Sequence, residues 1–190
     1  MLSQHKHLLD LSCIQLDGSH TLAKKGGEAV GYQGRKKAKT TNVLFMTDSK
    51  GQPVAMAEPQ AGNHNDAYQI RELFEQMCFL LRSAGISLKG VFMNADAGFD
   101  TEALRQVCEE QEIEANLASN PRNKNKAAAV EDYVYFDEDL YQNRYVIERT
   151  NAWLDGFKGL LIRYEKKIKS WMAQHFLAFA TLLLRKLNTC

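Results

Sequence analysis

Ile70, Leu73, Phe74, Met77, Leu80 and Leu81 recur at intervals of three and four, the stripe of one long amphipathic helix. Asn63-His64-Asn65-Asp66 offers it an N-cap, and Gly85 offers a residue on which to stop. Its neighbours decide the architecture. Ahead of it lie three short apolar runs, at residues 13–16, 41–47 and 53–57; Asp48-Ser49-Lys50-Gly51-Gln52 makes a hairpin turn between the last two. Behind it come a strand-like run at 90–95, a shorter helical stretch at 101–111 and another strand-like run at 113–118. Strands joined by short turns can meander antiparallel, whereas strands separated by helices pair in parallel through right-handed crossovers. The predicted fold class is therefore α/β, a mixed sheet of about five strands with helices on both faces.

The rest of the chain is read with less detail. Residues 23–39 contain four glycines and many lysines without periodicity and read as an exposed loop; residues 119–129 read as a basic loop. Val146, Trp153, Phe157 and Leu160 predict one helix over 145–164, and a strongly apolar helix is predicted over 171–187. No repeat or linker divides the chain.

At 190 residues with 45% apolar content, the chain fits one globular domain. Its 24 basic and 23 acidic residues nearly cancel, so any polyanion-binding surface must come from local clustering. No apolar run is long enough to span a bilayer, and the N-terminus lacks the charged head and apolar core of a signal peptide; a cytoplasmic protein with no membrane partner is expected. Cys13, Cys78, Cys108 and Cys190 stand singly, which gives no zinc knuckle and no paired redox site.

Chemistry concentrates on three acids. Asp17 ends the apolar run Ile14-Gln15-Leu16, Asp96 follows Val91-Phe92-Met93-Asn94-Ala95, and Glu148 sits in the predicted helix after Arg144. An isolated carboxylate is expensive to bury, so each must be paired, metal-bound or at a solvent-reaching edge. If the first and fourth strands are neighbours, Asp17 and Asp96 face each other at the strand ends, where open α/β sheets bind ligands. Three convergent carboxylates need a cation between them, and oxygen-only donors favour Mg²⁺ or Mn²⁺. Two such ions, about 3.5–4 Å apart, suit phosphoryl transfer. Taken singly, each acid also fits an N-cap or a turn.

The motifs carry a resemblance. L-D-G-S-H-T at 16–21, N-A-D-A-G-F-D at 94–100 and Y-Q-N-R-Y-V-I-E-R-T-N-A-W-L at 141–154 resemble, in order, the three acidic motifs of the DDE transposases of bacterial insertion sequences. G-N-H-N-D at 62–66 and N-P-R-N at 120–123 are family-like as well. The resemblance implies a ribonuclease-H-like catalytic domain, with Asp17, Asp96 and Glu148 as its catalytic, metal-binding triad. It implies metal-dependent DNA strand cleavage and strand transfer during insertion-sequence transposition, with Mg²⁺ or Mn²⁺ as cofactor, two ions in all. Tyr141 and Arg144 match accessory positions near DNA phosphates. The lysine usual seven residues after the glutamate is replaced by Asp155, and Lys158 is the nearby substitute, read as lying on almost the same helix face.

Basic clusters supply candidate phosphate contacts. Arg35, Lys36 and Lys37 lie in the glycine-rich loop, Arg122 lies in the second loop, and a third group surrounds Arg163. His20 and His64 read as hydrogen-bonding structural residues, and Trp153, Phe157 and Trp171 as core. Only 16 residues precede Asp17, so residues 1–190 are expected to form the catalytic domain alone, with end recognition from an upstream DNA-recognition polypeptide and a dimer assembled on DNA. Two other readings remain open: a non-catalytic remnant that binds DNA, or a host nuclease of the same fold.

Overall fold

The computed structural model describes residues 2–120 and 136–187. Its centre is β1 (Cys13–Ala23), which pairs antiparallel with β3 (Ala38–Asp48) from Ile14 opposite Asp48 to Leu22 opposite Thr40. On its other edge β1 pairs parallel with β6 (Phe92–Ala95), but only from Cys13 opposite Phe92 to Leu16 opposite Ala95. β7 (Glu114–Leu117) continues the parallel half, and β2 (Gly31–Gln33) closes the antiparallel edge, giving the order β2-β3-β1-β6-β7. Two short strands, β4 (Pro53–Met56) and β5 (Gln60–Ala61), add to β3, and β8 (Ile162–Arg163) pairs with the far end of β1.

Strand alternation sorts the side chains onto two faces. Ile14, Leu16, Leu44, Met46, Met93 and Ala95 face one core, against α1 (Ile70–Ser83) and α2 (Glu102–Glu110). Val43 and Phe45 face the other, where Leu154 of α4 (Tyr145–Asp155) and Trp171 and Phe179 of α6 (Ile168–Leu187) pack. Gln15 and Asp17 of β1 and Asn94 of β6 lie on this second face. Between the two parts of the chain come α3 (Glu138–Gln142) and, after α4, the single turn α5 (Lys158–Leu161).

Three expectations change. The segment 23–39 is not wholly loop: Gly31–Gln33 pairs with β3 as a two-stranded arm turning at Lys37, whose φ is +48°. Exposed on both faces, it leaves no periodic trace. The helix predicted over 145–164 breaks at Gly156, and Phe157 is extended, which buries Leu160 and lets Ile162 and Arg163 join the sheet. The long helix starts at Ile70 rather than on Asn63–Asp66; Gln69, at φ +50°, is the last residue before it.

Arg163 is buried on β8. Its guanidinium donates to the carbonyl oxygens of Glu28, Glu165 and Lys166 and to Thr41 Oγ1, and it lies 5.2 Å from the Trp171 ring centre. These bonds tie the base of the basic arm to β3 and to the start of α6. Cys13, Cys78 and Cys108 are buried free thiols, pushed up by that burial to about 11, 11 and 12. No helix among the described residues is long and apolar enough to cross a membrane.

Candidate active site

Leu16 and Ala95 form the last parallel pair between β1 and β6. Asp17 and Asp96 each stand one residue beyond it, on the face opposite the Leu16 and Ala95 core. The two strands lose their pairing there, and the carboxylates share the crevice between their carboxyl ends. Asp17 is half-buried, and desolvation pushes its carboxyl up to about 6. A hydrogen bond from the Gly18 amide and the Arg144 charge oppose that rise, while the neighbouring Asp66 and Asp96 carboxylates add to it. Asp96 is exposed and caps a 3-10 turn, its Oδ1 accepting from the Ala97 N–H at 2.7 Å. In the same motif Asp100 is buried, pairs with Arg105 and accepts from the Asn120 N–H at 2.8 Å.

α4 carries Glu148. Its buried residues Val146, Ile147, Thr150 and Leu154 hold it on the second face of the sheet. Asn151 Nδ2 donates to Asp17 Oδ2 at 3.3 Å, which fixes the helix against β1. Glu148, one turn earlier, has an exposed side chain that faces Arg144, with 3.7 Å between Arg144 Nη2 and Glu148 Oε1. Among the described residues no three carboxylate, imidazole or thiol groups are already gathered tightly enough to enclose a metal ion. What the structure brings together is the Asp17–Asp96 pair, with Glu148 on the helix that touches it.

The donor set suits a hard cation. Two carboxylates on one crevice, one of them raised towards neutrality by burial and by like charges, are relieved by a positive ion between them, and oxygen ligands select Mg²⁺ or Mn²⁺ over zinc.

Asp66, expected to cap the helix, lies close enough for its charge to raise the Asp17 carboxyl. The connection before α1 carries it over Gly18, where a Cβ would lie 2.3 Å from Asp66 Oδ1. Asn42 Nδ2 donates to the same oxygen at 2.8 Å, and His20 Nε2 stands 3.5 Å away. Burial opposes its ionisation, but the bonds from His20 and Asn42 outweigh that effect and hold its carboxyl below the ordinary value. The family-like G-N-H-N-D string was the only signal. His64 stacks on Tyr68 at 3.7 Å between ring centres.

Of the basic residues, Arg35, Lys36 and Lys37 are exposed at the tip of the β2–β3 arm. Arg35 is near enough to help lower the Asp66 carboxyl, and Lys36 Nζ donates to the His20 carbonyl at 2.6 Å, so the arm lies beside the crevice. Tyr141 is half-buried on α3, with the Arg144 guanidinium 5.9 Å from its ring centre. Lys158 is exposed at the start of α5; the break at Gly156 removes the shared helix face on which its substitution for the lysine at 155 was argued. Trp153 is 39% exposed, with Arg149 stacked 5.0 Å from its ring centre, whereas Trp171 is wholly buried as expected. Arg122 lies outside the described residues.

Over 124 aligned residues the chain is 30% identical to a candidate transposase for insertion sequence element IS402 of Burkholderia cepacia, an alignment covering 65% of this chain and 53% of the relative. The chain thus spans about half the length of that relative. Among solved structures it is similar to a piggyBac transposase in a synaptic complex with hairpin DNA, with a TM-score of 0.53, 11% identity and coverage of 90% and 45% of the two chains. A Mos1 strand transfer complex gives a TM-score of 0.48 at 14% identity, covering 97% and 56%. The fold is the mixed, ribonuclease-H-like sheet of transposase catalytic domains. The family described as Transposase DDE domain matches residues 8–183, nearly the whole chain, and the chain belongs to that family.

Proposed function

We propose that this chain carries out metal-dependent DNA strand cleavage and strand transfer at the ends of an insertion sequence. The observation that carries the reading is the placement of Asp17 and Asp96 one residue beyond the last β1–β6 pair, with α4 fastened to Asp17 through Asn151.

In this reading Asp17, Asp96 and Glu148 would hold two Mg²⁺ or Mn²⁺ ions. Such ions, once bound, make water or a 3′-hydroxyl a better nucleophile and stabilise charge on the phosphate. The protein contributes position and electrostatics. Asn151 fixes the Asp17 carboxylate by donating to Oδ2. Arg144, whose charge reaches Asp17, presents its guanidinium to the phosphate, and Tyr141 supports it. Arg35, Lys36 and Lys37 hold the DNA backbone on one side of the crevice, with Lys158 and Arg122 as further phosphate contacts. End recognition comes from an upstream DNA-recognition polypeptide, and two copies of the chain act together on paired ends.

The test is cleavage and joining of a labelled element end in Mg²⁺ or Mn²⁺, with the upstream region supplied in trans and Asp17→Asn as control. Equal activity in both proteins rejects the assignment. Binding without cleavage points to a DNA-binding remnant, for which the Glu148–Arg144 contact is the supporting observation. Cutting without joining points to a nuclease.

A further inference from the structure

One pleat below the two aspartates, on the same face of the sheet, runs a row of amides that the chemistry does not use. Gln15 stands opposite Asn94, and Asn94 opposite Asn116, across β1, β6 and β7. All three are essentially without exposure. Gln15 and Asn94 precede Asp17 and Asp96 by two residues each. A buried amide is costly unless its polar atoms are paired, so the destinations of these hydrogen bonds reveal what the row holds.

Those of Asn94 and Asn116 run outward to the segment that carries Tyr141 and Arg144, whereas Gln15 Nε2 donates to Cys13 Sγ and its Oε1 has no partner among the described residues. Asn116 Nδ2 donates to Asn94 Oδ1 at 2.8 Å and to the Asp137 carbonyl at 2.9 Å, and Asn116 Oδ1 accepts the Asp137 N–H at 2.8 Å. Asn94 Nδ2 donates to the Leu140 carbonyl at 2.8 Å. The Asp137 carboxylate then caps the Leu140 N–H, also at 2.8 Å. The Asn116 side chain thus clasps the main chain of Asp137 in both directions, as a neighbouring strand would.

Among the described residues α3 buries no side chain fully. It is five residues long, far too short to be stable as an isolated helix, and none of its residues is buried. Apolar packing resumes only with Val146 and Ile147 of α4. The bonds from Asn94 and Asn116 therefore hold the main chain of Asp137 and Leu140 to the sheet where apolar burial does not.

We infer that Asn94 and Asn116 are positioning residues that set Tyr141 and Arg144 against the Asp17–Asp96 pair. The inference rests on the active-site reading for its effect on catalysis, but not for its effect on the segment. Two measurements separate the two. Hydrogen exchange of the full chain needs no activity: Asn116→Ala should speed exchange over 137–144 by about tenfold or more, with β1 and α1 unchanged. Unchanged exchange there overturns the inference, whether or not the protein cuts DNA.

The second measurement is cleavage of a labelled element end by single and double variants. Asn116→Ala should lower the rate by about tenfold or more, and should add little to Arg144→Ala, because both remove the same guanidinium from the site. With Arg35→Ala, on the other arm, the losses should multiply. A merely structural residue would multiply with both, and that outcome overturns the inference. Asp137→Pro removes the N–H bond to Asn116 from the segment side together with the Oδ1 cap on Leu140, so Asp137→Ala, which loses the cap alone, is its control and must loosen the segment less. If Asn116→Ala does not fold, Asp137→Pro must show the same local loosening and the same pattern with Arg144, or the inference fails. A segment that loosens as expected, in a protein that cuts no DNA in any form, would leave the positioning intact and count against the transposase reading instead.

Discussion

Asn151 and Asp17 lie 134 residues apart and meet at 3.3 Å, side-chain amide to carboxylate oxygen. This bond links the helix of the third acid to the strand of the first. Removing it frees the Asp17 carboxylate to rotate and frees α4 to shift by a fraction of an ångström. Asn151→Ala should lower cleavage by about tenfold and raise the Mg²⁺ concentration needed for half-maximal rate, at nearly unchanged thermal stability. A wild-type metal requirement in that variant would mean the contact orients nothing.

Asp17 gives a pH dependence whose sign is fixed. Its folded carboxyl titrates at about 6, well above the ordinary 3.8, so the metal-free fold binds this proton more tightly than the unfolded chain does. The protonated group is no burden below pH 3.8; as pH rises from there through 6, stability is lost. Asp17→Asn should therefore stabilise the metal-free protein at pH 7.5 by about 1–3 kcal/mol, with the gain vanishing below pH ~4. Urea melts of both proteins across that range test it. Added Mg²⁺ should narrow the gap at pH 7.5 by stabilising the wild type alone.

Gly18 is small because Asp66 needs the space. A methyl group there would meet Asp66 Oδ1 at 2.3 Å and push it from Asn42 and His20. Gly18→Ala should cost about 1–3 kcal/mol in chemical denaturation and lower cleavage further than that loss of folded protein explains. A Gly18→Ala protein as active as the wild type would show that Asp66 has no part in the site.

The arm tip should act through charge alone. Arg35→Ala should weaken binding to any duplex sequence similarly and reduce the slope of log affinity against log salt by about 1. A sequence-dependent loss would place Arg35 against base edges instead.

Much of this was legible in the letters. Asp17 and Asp96 could be placed because each interrupts an apolar strand, and strand order then fixes them as neighbours. The two-faced sheet followed from where helices separate strands and where they do not. What escaped the reading was set by contacts between distant segments. Asp66 looked like a helix cap, since nothing local shows that the connection before α1 folds back over Gly18. Glu148 could be assigned to a helix, but its turn towards Arg144 depends on how α4 lies. A single helix is expected over 145–164 because the stripe Val146, Trp153, Phe157 and Leu160 continues across Gly156, although the backbone does not. Asn94 and Asn116 are ordinary polar letters inside short strands; only the paired register shows that they align.

The brevity of the β1–β6 pairing has a consequence for how this domain can vary. Four residue pairs separate the start of that ladder from the first acid, and side chains alternate faces at every step. Adding or deleting one residue between Cys13 and Asp17 would rotate leucine into the crevice and drive the carboxylate into oil. These few positions tolerate substitution better than a change in their number.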